Sequence, residues 1–237
     1  MKVLLTHGYF LKEDEKEQEI MRPYPPLGML YVSAYLKTKK QNVVLVDSTF
    51  ITKKEWKQKI KDEAPAIIAF YANLVTKLNV LELLYFIRKE YPNIITCVGG
   101  PDVTYNIDNY LNAGFHFAIS GEGEQTLYEL TEQLSLNQSI TSIQGIAYKE
   151  NNEIVQNEAR SKIKELNTLP FPDRDSIPIE KYLSTWKEYH GKRTLNISTQ
   201  RGCPYTCKWC STAVYGQSYR RNPAVRVVEE ILYLQKE

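Results

Sequence analysis

Residues 94–101 have the sequence Ile-Ile-Thr-Cys-Val-Gly-Gly-Pro, a short apolar run that stops at two glycines and a proline. Such a run, bounded by turn residues, is typical of a strand buried on both faces of a sheet. Similar runs occupy residues 3–6, 43–46, 66–71 and 117–120. Segments with apolar residues at helical spacing separate them. The alternation predicts βαβ units and an α/β fold with a flavodoxin-like or Rossmann-like, doubly wound parallel sheet.

The chain changes character after about residue 140. Residues 144–149 and 154–156 flank a polar turn and predict a β-hairpin. The proline-punctuated segment that follows predicts a linker over about 158–190. A last strand over 194–198 and a final helix around Val228 and Ile231 are expected next. We therefore expect three parts: an α/β domain over 1–140, a hairpin and linker over 141–190, and the start of a second domain over 191–237.

The composition of the 237 residues is that of an ordinary globular protein, with 43% hydrophobic and 24% charged residues. No apolar run approaches the roughly 20 residues that a membrane span needs. The first ten residues lead into an acidic stretch, which argues against a signal peptide and predicts a reducing, cytoplasmic location. The net charge of +2 gives no electrostatic reason to expect nucleic acid as a partner.

Three of the four cysteines lie within eight residues of one another. Cys203, Cys207 and Cys210 follow a Cys-x3-Cys-x2-Cys pattern. Three thiolates on one loop can bind three irons of a [4Fe–4S] cluster and leave the fourth iron open to another ligand. A structural zinc site is the alternative, but it usually needs a fourth ligand, and no further Cys or His follows. Cys97 lies within an apolar strand and is expected to be a small buried hydrophobe.

The cysteine loop resembles the signature of radical S-adenosylmethionine enzymes, Cys-x3-Cys-x-aromatic-Cys after a strand. The resemblance implies that Cys203, Cys207 and Cys210 hold the cluster. It also implies that Trp209 and Tyr205 contact S-adenosylmethionine, which binds the open iron and is cleaved to a 5′-deoxyadenosyl radical. The segment over 191–237 would then be the first βα unit of a radical S-adenosylmethionine (β/α) barrel. Only one such unit fits before residue 237, so we expect a truncated barrel and a chain that is inactive alone.

The preceding domain resembles the cobalamin-binding domain of class B radical S-adenosylmethionine enzymes. The similar phrases are residues 25–31, 98–101, 121–124 and 169–175, in this order. The resemblance implies cobalamin contacts from residues at strand ends and helix starts: His7, Pro26, Leu27, Asn73, Gly99, Gly100, Pro101, Gly121, Glu122, Gly123 and Glu124. The Asp-x-His-x-x-Gly motif that supplies a lower cobalt ligand in other cobalamin proteins is absent, so that ligand stays unassigned.

Simpler interpretations stand beside these contacts. Residues 99–101 could be only a tight turn after a strand. Residues 121–124 could be only a helix cap, since carboxylates favour helix N-termini. His7 could be a solvated histidine in a turn. Ligands of doubly wound sheets nevertheless bind at the carboxyl ends of the strands, where all of these residues are predicted to lie.

The resemblance implies methyl transfer to an unactivated carbon by a 5′-deoxyadenosyl radical mechanism, with cobalamin as the methyl carrier. Two alternatives are a radical cyclisation or rearrangement enzyme of the same family and a non-catalytic cofactor-binding module. The expected partners are a small-molecule or peptide substrate and a low-potential electron donor such as ferredoxin or flavodoxin. The sequence names neither the substrate nor its binding residues.

Overall fold

A computed structural model describes residues 1–208, 210 and 214–235. Within them, seven strands form one sheet: β1 (Lys2–His7), β2 (Asn42–Val46), β3 (Ile67–Tyr71), β4 (Ile95–Gly99), β5 (Phe117–Ile119), β6 (Ile146–Glu150) and β7 (Glu153–Gln156). Their order is β2-β1-β3-β4-β5-β6-β7. The first five are parallel, and the last two add antiparallel pairs. The predicted α/β, flavodoxin-like order is confirmed, with its change of direction between β1 and β3.

Helices cover both faces of the sheet. Their bounds are α1 (Glu15–Ile20), α2 (Leu27–Thr38), α3 (Lys53–Glu63), α4 (Lys77–Glu90), α5 (Ile107–Asn112), α6 (Gly123–Ser135), α7 (Ile179–His190) and α8 (Ala224–Leu234). Trp56, Leu83 and Tyr110 bring α3, α4 and α5 onto one face. Met29 and Leu127 bring α2 and α6 onto the other. Burial on both faces explains why the strands are unbroken apolar runs rather than alternating ones.

The predicted hairpin forms, and it joins the main sheet. Strand β6 pairs with β5 in antiparallel register, and β7 pairs with β6. The sheet therefore continues across residue 140, where the first domain was expected to end. Among the residues that the structure describes, no helix is both long and apolar enough to cross a membrane.

The segment expected to be a linker contains helix α7. Tyr182, Leu183 and Trp186 lie on one side of this helix and are buried against the α/β domain. The indole N–H of Trp186 donates to the carbonyl of Pro23 at 2.7 Å. The prediction of a plain linker over 158–190 was wrong here, because the prolines near residue 170 concealed an amphipathic helix that begins after them.

The strand expected over 194–198 is also absent from the structure. These residues have no ladder partner in the described part of the chain, so they cannot form a strand. Instead a two-residue strand, β8 (Gln200–Arg201), pairs antiparallel with β9 (Arg220–Arg221) and brackets the cysteine loop. Helix α1 was not predicted, because none of its side chains is buried and no apolar periodicity marks it.

Candidate functional site

A cavity of about 500 Å³ opens at the carboxyl ends of β3, β4 and β5. Its inner wall is apolar and lies between the sheet and helices α2 and α6, with Ala69, Cys97 and Leu127 on it. Residues 99–101 and 121–124 border the opening. The cysteine loop forms the opposite side through Cys203, Cys210 and Tyr215. The cavity thus brings the glycine-rich strand ends and two of the three predicted cluster ligands to one place.

A second cavity of about 480 Å³ lies beside the first, at the carboxyl ends of β1 and β3. It contains the rest of the predicted cobalamin contacts: His7, Pro26, Leu27 and Asn73. Gly28, Met29 and Tyr71 border both cavities. The predicted cobalamin contacts are therefore divided between two adjoining cavities along a single edge of the sheet.

Gly28 borders both cavities but was not among the cobalamin contacts expected from the sequence. It lies in the first turn of α2, and a Cβ added there would meet no atom within 4 Å. Glycine inside a helix costs about 0.5–1 kcal/mol relative to alanine. Its position on both cavity walls gives a reason for its presence, because any side chain would enter that space. The signal available in the sequence was a glycine inside an otherwise good helix.

His7 is buried, with 3% of its surface exposed, so it is not the solvated turn histidine that was the simpler interpretation. The N–H of Tyr9 donates to Nδ1 at 3.1 Å. Nε2 lies 2.9 Å from the Asp47 carboxylate and, in a longer contact, 3.3 Å from the N–H of Ser48. Because an ionised carboxylate only accepts hydrogen bonds, the shorter contact assigns a proton to Nε2, which donates to Asp47. Both ring nitrogens are engaged within the protein, and neither is free to bind a metal in this arrangement.

Asp47 joins His7 to helix α7. The Tyr182 hydroxyl donates to the second Asp47 oxygen at 2.7 Å and lies 2.8 Å from the Thr49 hydroxyl. Burial opposes ionisation of this carboxyl, but hydrogen bonds from His7, Tyr182 and Thr49 outweigh it and hold its pKa below the usual value. Burial and the Asp47 charge raise the pKa of Tyr182 well above its ordinary value. The ionised Asp47 thus fixes α7 against the end of β2.

Replacing Tyr182 by Phe is expected to lower the free energy of unfolding at pH 7 by about 2 kcal/mol, the range for a hydrogen bond to a charged group. A folded pKa below the unfolded one stabilises above the unfolded value of about 3.9, and that stabilisation is lost as pH falls through the folded value. The difference between the variant and the unaltered chain should therefore narrow below about pH 4. Urea unfolding at several pH values measures the loss at pH 7 and its decrease at low pH. Tyr189→Phe, on the exposed side of α7, is the control. Equal losses in the two variants would contradict the assignment.

Glu122 and Glu124 are buried and paired with arginines that flank the cysteine loop. Arg201 contacts both carboxylates, and Arg220 contacts Glu122. The backbone N–H of Ile163 also donates to Glu122 at 2.8 Å. Both glutamates border the first cavity. Their carboxylates nevertheless accept hydrogen bonds from the two arginines and from the Ile163 N–H. Sequence analysis missed Arg201, because its partners lie nearly 80 residues earlier in the chain.

The three clustered cysteines are free thiols with different exposure. Cys203 is half-buried, and its backbone pairs with that of Gln217 in an isolated parallel β-bridge. Cys207 and Cys210 are exposed. Over residues 1–208, 210 and 214–235, no three His, Cys, Asp or Glu side chains are grouped closely enough to hold a metal ion. The thiols fit an iron–sulfur cluster in chemistry and spacing rather than in present geometry. Tyr205 is 70% exposed, and Trp209 lies outside the described residues.

Comparisons with known proteins match most of the chain. The B12 binding domain family model matches residues 19–131. An uncharacterized methyltransferase of Pyrococcus horikoshii is 27% identical over 218 residues, covering 90% of this chain and 46% of that protein. An anaerobic magnesium-protoporphyrin IX monomethyl ester cyclase of Synechocystis is 26% identical, covering 90% and 43%. The chain therefore spans less than half the length of these relatives.

A solved structure has the same fold. The cobalamin-dependent S-adenosylmethionine radical enzyme OxsB, with aqua-cobalamin and S-adenosylmethionine bound, superposes with a TM-score of 0.78 and 22% identity. The match covers 97% of this chain and 31% of that protein.

The sheet order and the cavity describe an α/β domain followed by a cysteine loop, and residues 19–131 of this domain match the B12 binding domain family model. That match covers just under half of the 237 residues. The chain as a whole has the fold of the N-terminal portion of cobalamin-dependent radical S-adenosylmethionine enzymes.

Proposed function

We propose that this chain is the cofactor-binding portion of a cobalamin-dependent radical S-adenosylmethionine methyltransferase. The supporting observation is the first cavity, which is bordered by glycine-rich strand ends on one side and by Cys203 and Cys210 on the other. An apolar inner wall and glycine-lined edges suit a large, flat cofactor that needs close backbone approach. The order of strands places this cavity at the ligand-binding edge of the sheet.

The proposed roles of the residues follow from their positions. Residues 99–101 and 121–124 would border cobalamin, with Gly28 keeping the space beside it open. Cys203, Cys207 and Cys210 would hold a [4Fe–4S] cluster, and Tyr205 and Trp209 would contact S-adenosylmethionine. When bound, cobalamin supplies a transferable methyl group, and the cluster supplies the electron that cleaves S-adenosylmethionine. The chain's own part is to hold the two cofactors close together and to shield them with the apolar wall.

His7 fits a positioning role better than a metal-ligand role. Its two ring nitrogens are occupied by Tyr9 and Asp47, so it would support the cavity wall without binding cobalt. The lower cobalt ligand, which the missing Asp-x-His-x-x-Gly motif leaves unassigned, stays unassigned.

Radical cyclisation is the second candidate, favoured by the similarity to the Synechocystis cyclase. Both reactions would use the same cofactor sites, so product analysis with the whole protein distinguishes them. A methylated product labelled from methyl-labelled S-adenosylmethionine supports methyl transfer. A product without added methyl supports cyclisation. The substrate, small molecule or peptide, and a low-potential donor such as ferredoxin or flavodoxin are further expectations, as is a reducing, cytoplasmic location.

Replacing Cys207 by Ala is expected to abolish cluster assembly, because two thiolates cannot hold a cluster that already lacks a fourth protein ligand. The test is anaerobic reconstitution of the chain with iron and sulfide, followed by iron analysis and visible absorption. Cys97→Ala is the matched control, since Cys97 is buried in β4 and burial raises its pKa to about 12. Unchanged iron content in Cys207→Ala, or equal loss in Cys97→Ala, would refute the ligand assignment.

A further inference from the structure

Arg201 occupies an unusual place at the start of the cysteine loop. It lies two residues before Cys203, yet only 3% of its side chain is exposed. Its two terminal nitrogens donate to different carboxylates, Nη1 to Glu122 at 2.7 Å and Nη2 to Glu124 at 2.5 Å. Those glutamates lie at the start of α6, on the α/β domain. A single guanidinium therefore joins the loop to the domain with a fixed orientation, because its donors form a rigid planar fork.

Arg220 completes this group at the other end of the loop. It lies directly opposite Arg201 in the β8–β9 pair, an arrangement of like charges that is unfavourable by itself. Glu122 balances it by accepting from Arg220 Nη1 at 2.7 Å as well. We call these four side chains, Glu122, Glu124, Arg201 and Arg220, the Glu–Arg cluster. They hold both ends of the loop over residues 202–219 at one point of the domain.

Two aromatic rings enclose the Arg201 guanidinium. Its central carbon lies 5.1 Å from the ring centre of Tyr31 on α2 and 5.1 Å from that of Tyr215 on the loop. Tyr215 itself borders the first cavity, and burial raises its pKa to about 12. The ring contacts fix the guanidinium between the domain and the loop, so its orientation is transmitted to the cavity wall.

We propose that the Glu–Arg cluster sets the position of the cysteine loop over the cavity, with Arg201 as the positioning residue. The proposal rests on the proposed function, in which the loop holds one cofactor and the cavity the other. Replacing a buried ion pair by apolar packing is often neutral or stabilising, and in some proteins such pairs serve instead to specify one geometry. In this chain the ion pairs would fix the distance between the thiols of the cysteine loop and the glycine-rich strand ends. Arg201 acts through Cys203 and the loop rather than on a reacting atom.

The test measures alkylation of each cysteine by iodoacetamide in the chain without cofactors, using mass spectrometry. Arg201→Gln and Glu124→Gln are both expected to accelerate modification of Cys203 by about tenfold or more, because the loop leaves the cavity. The two changes remove opposite charges, so an electrostatic effect on thiol ionisation would act in opposite directions. Acceleration in both variants therefore reports exposure. Arg221→Gln is the matched control, since Arg221 is the exposed neighbour on β9.

Two further measurements separate positioning from general destabilisation. Amide hydrogen exchange of β1, which pairs with β2 and β3, reports opening of the sheet. The alkylation rate of Cys207, which is already exposed, reports any general change in reactivity. Positioning predicts faster Cys203 modification while the exchange of β1 and the Cys207 rate are unchanged. An unchanged Cys203 rate, or an exchange rate of β1 that rises in parallel, would overturn the proposal. Because no cofactor is present, this outcome is independent of whether the chain binds cobalamin or a cluster.

Discussion

Replacing Gly28 by Phe is expected to weaken cobalamin binding by about 100-fold while leaving the fold intact. A Cβ at this position meets nothing within 4 Å, and Gly28 borders both cavities, so the ring would occupy the space that we propose for cobalamin. The helix itself should tolerate the change, because glycine is a poor helix residue. Titration with hydroxocobalamin, followed by its visible absorption, gives the dissociation constant.

Gly28→Ala is the matched control for this experiment. The methyl group fills little of the cavity and improves the helix, so its affinity should stay close to that of the unaltered chain. Thermal unfolding of both variants confirms that the scaffold is intact. Equal affinity in Gly28→Phe and the unaltered chain would show that cobalamin, if bound, lies elsewhere.

Replacing Gly100 by Ala is expected to destabilise the chain by about 3 kcal/mol or more. Gly100 has a φ of +122°, and its Cβ would lie 2.3 Å from the carbonyl oxygen of Ala72 on the neighbouring strand end. Backbone atoms at a sheet edge cannot move away cheaply, since Ala72 donates its N–H to the carbonyl of Gly99 at 2.8 Å. Urea unfolding measures the loss.

Gly121→Ala separates backbone strain from steric overlap. Gly121 also has a positive φ, +82°, but a Cβ there meets nothing within 4 Å. We expect a loss of about 1 kcal/mol, the strain contribution alone. A Gly100→Ala variant no less stable than Gly121→Ala would mean that the close approach to Ala72 is not what requires glycine.

The parallel strands were predictable because the sheet is buried on both faces and each strand is an unbroken apolar run. The run that ends at Gly99 and Gly100 also identified the edge of the sheet at which the first cavity opens. Helix α7 was not predicted, because its buried positions, Tyr182 and Trp186, follow prolines that suggested an irregular segment. Its contact with Asp47 joins residues 135 positions apart, which no local pattern can reveal.

The candidate site was likewise predictable only in part from the sequence. The cysteine spacing is a local property, so Cys203, Cys207 and Cys210 could be proposed from the sequence as cluster ligands. Pairing of Glu122 with Arg201 is a property of the folded chain, because two segments 79 residues apart meet there. Short polar phrases such as 121–124 could therefore be recognised as noteworthy, but the partners of their side chains could not.

Helix α7 changes how the region before the cysteine loop should be regarded mechanically. A flexible tether would let the loop sample many distances from the sheet edge, with an effective concentration set by tether length. Here Tyr182 and Trp186 anchor the intervening segment to the domain at Asp47 and Pro23. The cysteine loop therefore begins only about ten residues after the end of α7, a helix that is anchored to the domain. Mutations in α7, which lies outside the lining of both cavities, would alter the distance between the two proposed cofactor sites by releasing that anchor.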